Sequence, residues 1–172
     1  LALDDYSGQL ATRRLNESGI ATRTGTTAKR LVVNERNEIS GVALDDDTTL
    51  PCDILVLAIG VRPNVGFLDD SGIVIDRGIL TDGTMGTSVP DIYAAGDCAD
   101  AYHVVTGEKA WIPLALRANR AGWAGADNVC GKESRLDGIA GTAVFRVLDY
   151  EIASTGLDMA EAQKFGFDPV QN

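Results

Sequence analysis

The residues with the clearest chemical potential lie between Thr81 and Cys98, in the string TDGTMGTSVPDIYAAGDC. A polar turn and a proline lead into a short apolar run, Ile92 to Ala95, which predicts a strand stopping at Gly96-Asp97. That arrangement puts a carboxylate at the carboxyl end of a strand, where α/β proteins bind nucleotide-like ligands. The glycine permits close backbone approach, and the aspartate can accept hydrogen bonds from sugar-type hydroxyls. Taken alone, the dipeptide reads more readily as a strand ending in a Gly-Asp turn.

Two further stretches could meet a ligand. Asp53 to Gly60, DILVLAIG, is a continuous apolar run that predicts a buried, parallel, central strand. Its closing Gly60 would allow contact with a dinucleotide, although such a glycine is more often just a strand end. Pro113 opens a predicted helix running to about Val129, with Gly131 as its stop. The amides at a helix N-terminus favour an anion in front of them, and the segment reads equally as a core helix. Gly122, Gly125 and Ala126 are small enough to let that helix pack closely.

The elements that must position these residues follow from periodicity. Asp4 and Asp5 start a helix whose apolar stripe is Tyr6, Leu10, Ala11 and Leu15, with Gly19 as its stop. Ile20 to Arg23 predicts a short strand. Lys29 to Asn34 and Ile39 to Leu44 predict a hairpin across Glu35 to Glu38. Asp45-Asp46-Asp47-Thr48 reads as a solvated acidic turn, since no further ligands follow at calcium-loop spacing. Cys98 to Trp111 predicts a loop. Thr142 to Tyr150 and Glu151 to Thr155 are strand-like, and Asp158 caps a short helix ended by Gly166.

Acidic residues outnumber basic ones 25 to 15, a formal charge of −10, which argues against nucleic acid or an anionic membrane as partner. No segment approaches the ~20 consecutive apolar residues of a membrane helix. Cys52, Cys98 and Cys130 form no C-x-x-C pair, so no metal site or dithiol motif is visible, and a reduced, cytoplasmic setting is expected. Cys52 and Cys130 read as buried thiols, Cys98 as structural, and His103 as a loop histidine. An opening at Leu1 and a close at Asn172 just after a possible strand start predict a segment of a longer protein.

Four strings in order carry a resemblance: LAIGVRPN, TSVPDIYAAGDCAD, IPLALRANRAGWAGADNVCG and GTAVFRVLDYEIASTGLDMAEAQKFGFD. Together they resemble the FAD-dependent pyridine nucleotide-disulfide oxidoreductases, in the NADH oxidase and coenzyme A-disulfide reductase branch. The resemblance covers nearly the whole chain. It implies an α/β fold made of incomplete Rossmann-like FAD/NAD(P)-binding domains, three-layered with a β-meander, plus the start of an α+β dimerisation domain. Residues 1–60 would be the C-terminal part of the NAD(P)H-binding domain, 61–135 the second segment of the FAD-binding domain, and 136–172 the beginning of the dimerisation domain.

The resemblance also implies site residues. Gly60 would lie near the nicotinamide cofactor. Asp97 would hold the ribityl chain of FAD, with Gly96 beside it also binding the cofactor, and Leu114 and Ala115 would present amides to the flavin ring. Trp123 stands where the branch has a polar or basic residue, which marks a contact surface. No G-x-G-x-x-G loop occurs in the 172 residues, and the redox-active cysteine of the branch is expected upstream, so no catalytic residue is assigned within the chain. The implied activity is hydride transfer from NAD(P)H to FAD, then on to a small-molecule disulfide of the coenzyme A type or to O2 or peroxide, in a homodimer. The isolated segment would bind cofactor weakly or not at all. A flavin-dependent ferredoxin or rubredoxin reductase, or a non-catalytic self-associating piece, stand as alternatives.

Overall fold

The computed structural model describes residues 3–170; Leu1, Ala2, Gln171 and Asn172 lie outside the described residues, and with them the expectations placed on the chain's two ends. The chain divides into two compact units, Gln9–Gly60 and a second formed by Val61 onward with the residues through Gly8.

Helix α1 (Asp5–Glu17) begins where Asp4 accepts the Ser7 amide at 2.6 Å, a side-chain cap that satisfies one of the otherwise unpaired first-turn donors. Ala11 is its buried residue, while Tyr6 of the expected stripe is exposed. The strand expected at Ile20 to Arg23 does not form. Asn16 instead takes up Thr22, accepting its amide at 3.1 Å and donating to its hydroxyl at 2.9 Å, so local side-chain bonds replace a ladder.

Strands β1 (Ala28–Val33), β2 (Ile39–Leu44) and β3 (Thr49–Pro51) form an antiparallel meander in that order. Leu31 faces Val42 and Val32 faces Gly41, with register shifts on either side of this stretch. The first turn is set by Asn34, whose side-chain oxygen accepts the amides of Arg36 and Glu38 at 2.9 and 3.0 Å. Central strand β2 is the buried one, from Gly41 to Leu44. A Cβ on Gly41 would stand 2.8 Å from the Leu50 carbonyl, so β3 can lie this close only across a glycine. The acidic turn is clasped by hydroxyls: Asp45 accepts from Thr26 and Thr27 at 2.5 and 2.6 Å, and Asp46 from Thr48 at 2.6 Å. The Thr26 hydroxyl, then Thr27, hold the Asp45 carboxyl down at about 2.

The run Asp53 to Gly60 departs from expectation. It is neither hydrogen-bonded into a ladder nor buried: Ile54, Val56 and Ile59 are 81%, 81% and 89% exposed. A parallel strand needs neighbours on both edges and cover on both faces. No strand among the described residues pairs with this one.

In the second unit, Ile79, Ala94 and Ala99 form one small core, against which Val65, Leu68 and Ile73 pack. The strand expected over Ile92 to Ala95 reduces to an isolated bridge between Tyr93 and Gly86, flanked by the Ala94 amide on the Met85 carbonyl at 3.0 Å. Within the expected 98–111 loop, β4 (Ala101–Tyr102) pairs with β5 (Lys109–Ala110). Helix α2 (Ala115–Val129) buries Arg117, Ala121, Ala124 and Gly125 on one face, at helical spacing. Met85 packs there with Ala121 and Ala124. Gly125 would place a Cβ 3.5 Å from that of Met85, so the helix does pack closely at this glycine, whereas Gly122 faces open space.

Strands β6 (Ala143–Val147) and β7 (Tyr150–Ser154) form a two-stranded hairpin. Helix α3 (Met159–Lys164) has a reciprocal cap: the Glu161 amide donates to Asp158 at 2.7 Å and the Asp158 amide to Glu161 at 3.1 Å. The architecture is thus mixed helix and sheet, with a β-meander and with every multi-residue ladder antiparallel among the described residues.

Candidate functional site

Gly96 adopts φ +95, a conformation glycine reaches without the Cβ penalty, and a Cβ there would meet nothing within 4 Å. Its role is to turn the backbone, not to make room inside the protein. The turn delivers Asp97 to the surface.

The four carbonyls of this loop all point to protein donors. Gly96 O accepts from Arg117 Nη1 at 2.7 Å and from the Ala99 amide at 3.2 Å. Asp97 O accepts from the Trp111 indole at 2.6 Å. Cys98 O takes the Ile79 amide at 2.8 Å, and Ala99 O takes Arg117 Nη1 at 3.0 Å. With its main chain fixed in this way, the loop offers the Asp97 carboxylate outward.

Behind the loop lies a charged cluster. Asp100, 2% exposed, accepts the Thr81 amide and hydroxyl on Oδ1 at 2.8 and 3.0 Å. Its Oδ2 has no hydrogen-bond partner and faces Lys109 Nζ across 3.5 Å; the same ammonium donates to the Thr81 carbonyl. Arg117 is 4% exposed. Burial pushes its pKa down, and the charges of Asp100 and Asp97 act against that shift. Asp100, Trp111 and Arg117 were not picked out by motif reading. Arg117 had a signal: it shares a face with Ala121 and Ala124 at helical spacing, so a charged residue there is buried.

Helix α2 starts without a side-chain cap, from the extended Leu114. The Leu114 amide donates to Ile112 O at 2.9 Å, and the Ala118 amide is the first to reach back, to Leu114 O at 2.9 Å. The amides of Ala115, Leu116 and Arg117 therefore have no helical acceptor. Of the two amides expected to face a ring, Ala115 is available and Leu114 is engaged. Trp123 is 71% exposed on the same helix.

Gly60 has φ +89 and is exposed, with nothing within 4 Å of a Cβ. It belongs to the first unit, while Gly96, Asp97, Leu114 and Ala115 belong to the second. The three cysteines are free. Cys98 is half-buried with its thiol on Ala95 O at 3.4 Å, and Cys130 is exposed, because it caps the C-terminus of α2 instead of joining a core. His103 is 5% exposed, its Nδ1 accepting the Thr106 amide at 3.3 Å. No group of three metal-ligating side chains occurs among the described residues, and none of the described helices is long and apolar enough to cross a membrane.

Residues 2–122 match the family model described as pyridine nucleotide-disulphide oxidoreductase. The chain is 38% identical over 142 residues to an NAD(P)H sulfur oxidoreductase (CoA-dependent) of Pyrococcus furiosus, covering 81% of this chain and 32% of that protein. It is 31% identical over 156 residues to an NADH oxidase of Methanocaldococcus jannaschii, covering 90% of this chain and 34% of that one. A solved NAD-dependent persulfide reductase from A. fulgidus superposes with a TM-score of 0.88 at 30% identity, over 96% of this chain and 31% of that chain. The chain thus spans about a third of the length of these relatives. With the family model matched over most of its length, the chain belongs to the pyridine nucleotide-disulphide oxidoreductase family.

Proposed function

We propose that the chain supplies the ribityl-facing carboxylate and the ring-facing helix of an FAD site, within a larger oxidoreductase that moves a hydride from NAD(P)H to FAD and on to a disulfide or persulfide of the coenzyme A type or to O2 or peroxide. The observation that carries this reading is the outward Asp97 carboxylate on a loop whose carbonyls are all held from behind. Its donor chemistry fits FAD. A carboxylate suits the polyhydroxyl ribityl chain, and the free Ala115–Arg117 amides suit the electron-rich edge of the ring.

FAD supplies the hydride-accepting and electron-donating chemistry at such a site. The chain's own residues bind and orient. Asp97 fixes the ribityl chain in one pose, and Gly96 lets the backbone come close. The amides of Ala115 to Arg117 favour negative charge in front of the helix without any rearrangement when that charge appears. With no G-x-G-x-x-G loop in the 172 residues, the pyrophosphate grip and the redox cysteine come from sequence outside them, so the segment by itself binds cofactor weakly and turns nothing over.

Residues 1–60 belong to the NAD(P)H-binding domain, with Gly60 near the nicotinamide, 61–135 to the FAD-binding domain and 136–172 to a dimerisation domain. The bare run from Ile54 to Ile59 supports the first assignment, since a sheet in the whole protein would cover it. A hairpin of two strands with Val144 71% exposed supports the last, since it is marginal alone and suits a homodimer contact. Three free cysteines suit a reduced, cytoplasmic setting. The test is to prepare the whole protein and record its flavin spectrum and NAD(P)H oxidation. Bound FAD reduced by NAD(P)H is expected; a protein with neither flavin absorbance nor NAD(P)H oxidation would overturn the reading.

A further inference from the structure

We infer that Arg117 is a positioning residue for Asp97, working with Trp111 as a two-point clamp on the loop that presents the carboxylate. The inference rests on the FAD reading above. Arg117 occupies an expensive place. It is 4% exposed, and a buried guanidinium is costly unless paired. It sits in the first turn of α2, where the helix dipole disfavours a cation. Its Nε and Nη2 are buried with no hydrogen-bond partner. Neighbouring buried positions on the same face are Ala121 and Ala124, so packing there asks only for small residues.

What the residue does in return is specific. A single nitrogen, Nη1, holds the carbonyls of Gly96 and Ala99 at 2.7 and 3.0 Å, one on each side of Asp97-Cys98. Trp111 holds the Asp97 carbonyl itself at 2.6 Å, with its ring braced 2.9 Å from where a Gly78 Cβ would stand. The peptide planes before and after the Asp97 Cα are therefore both fixed by side chains, which sets the direction of its Cα–Cβ bond. Because Arg117 also belongs to α2, one residue ties the carboxylate loop to the helix whose amides face the ring.

A double-mutant cycle on the whole protein tests this, using FAD dissociation constants measured by titrating apoprotein. Asp97→Ala is expected to weaken FAD binding about tenfold or more. Arg117→Met is expected to weaken it about tenfold with Asp97 present and by less than about threefold in the Asp97→Ala background, because contacts acting through one group are not additive. Full losses from Arg117→Met in both backgrounds would show general destabilisation and overturn the clamp. An Asp97→Ala protein that binds FAD like the wild type would overturn the flavin reading and the clamp with it. Should Arg117→Met fail to fold, Trp111→Phe removes the bond to the Asp97 carbonyl while keeping an aromatic ring beside Gly78. It must then show the same coupling to Asp97; an uncoupled Trp111→Phe loss refutes the inference.

Discussion

Replacing Gly78 by alanine is expected to destabilise the second unit and loosen the Asp97 loop together. The added Cβ would stand 2.9 Å from the Cys98 carbonyl oxygen and 2.9 Å from Trp111 Cδ1, with Ala99 C at 3.3 Å. The Cys98 carbonyl cannot retreat, because it accepts the Ile79 amide at 2.8 Å and the Asp100 amide returns to Ile79 O at 3.0 Å. Trp111 can move only by giving up its bond to Asp97 O. Overpacking of this kind costs about 1–3 kcal/mol, and at about 2–4 °C per kcal/mol for a chain of this size the midpoint should fall by roughly 2–12 °C. Thermal melting reads the stability, and the Trp111 indole N–H resonance in a nitrogen-15 spectrum reads the hydrogen bond. An unchanged midpoint with an unshifted indole signal would refute the steric reasoning and the linkage between Gly78 and the loop.

Other outcomes follow from single contacts. Gly125→Ala should stabilise α2 by up to about 1 kcal/mol, since its Cβ meets Met85 at an ordinary 3.5 Å and helix propensity rises; Gly125→Val should instead lower the melting midpoint through overpacking. Asp45, held at about 2 against an ordinary 3.8, adds stability to the meander that is complete above about pH 4 and lost as pH falls towards 2. Asp45→Asn should remove that pH dependence, with amide shifts of Thr26 and Thr27 as the readout.

Motif chemistry in the sequence points to the residues proposed to face a ligand and not to those that hold their loop. Gly96, Asp97 and the start of α2 were legible because turn chemistry and helix starts are local properties of the chain. The Asp158 cap was legible for the same reason. Arg117 and Trp111 act on residues 21 and 14 positions away, and such partners emerge only once the chain is folded. The run from Ile54 to Ile59 shows the opposite failure. Its apolar character was read correctly, but burial is a property of neighbours, and none of the described strands is one. Ile92 to Ala95 shrank to a bridge on similar grounds, its partner Gly86 following directly on the tight turn from Asp82 to Met85, with φ +71 at Met85.

The assignment of Asp97 as the ribityl anchor is tested most directly by the FAD dissociation constant of the whole protein with Asp97→Asn. Removing the charge while keeping the shape takes away hydrogen bonds to a charged group worth about 1.5–3 kcal/mol, so binding should weaken by about 10- to 150-fold. An affinity within about twofold of the wild type would contradict the assignment.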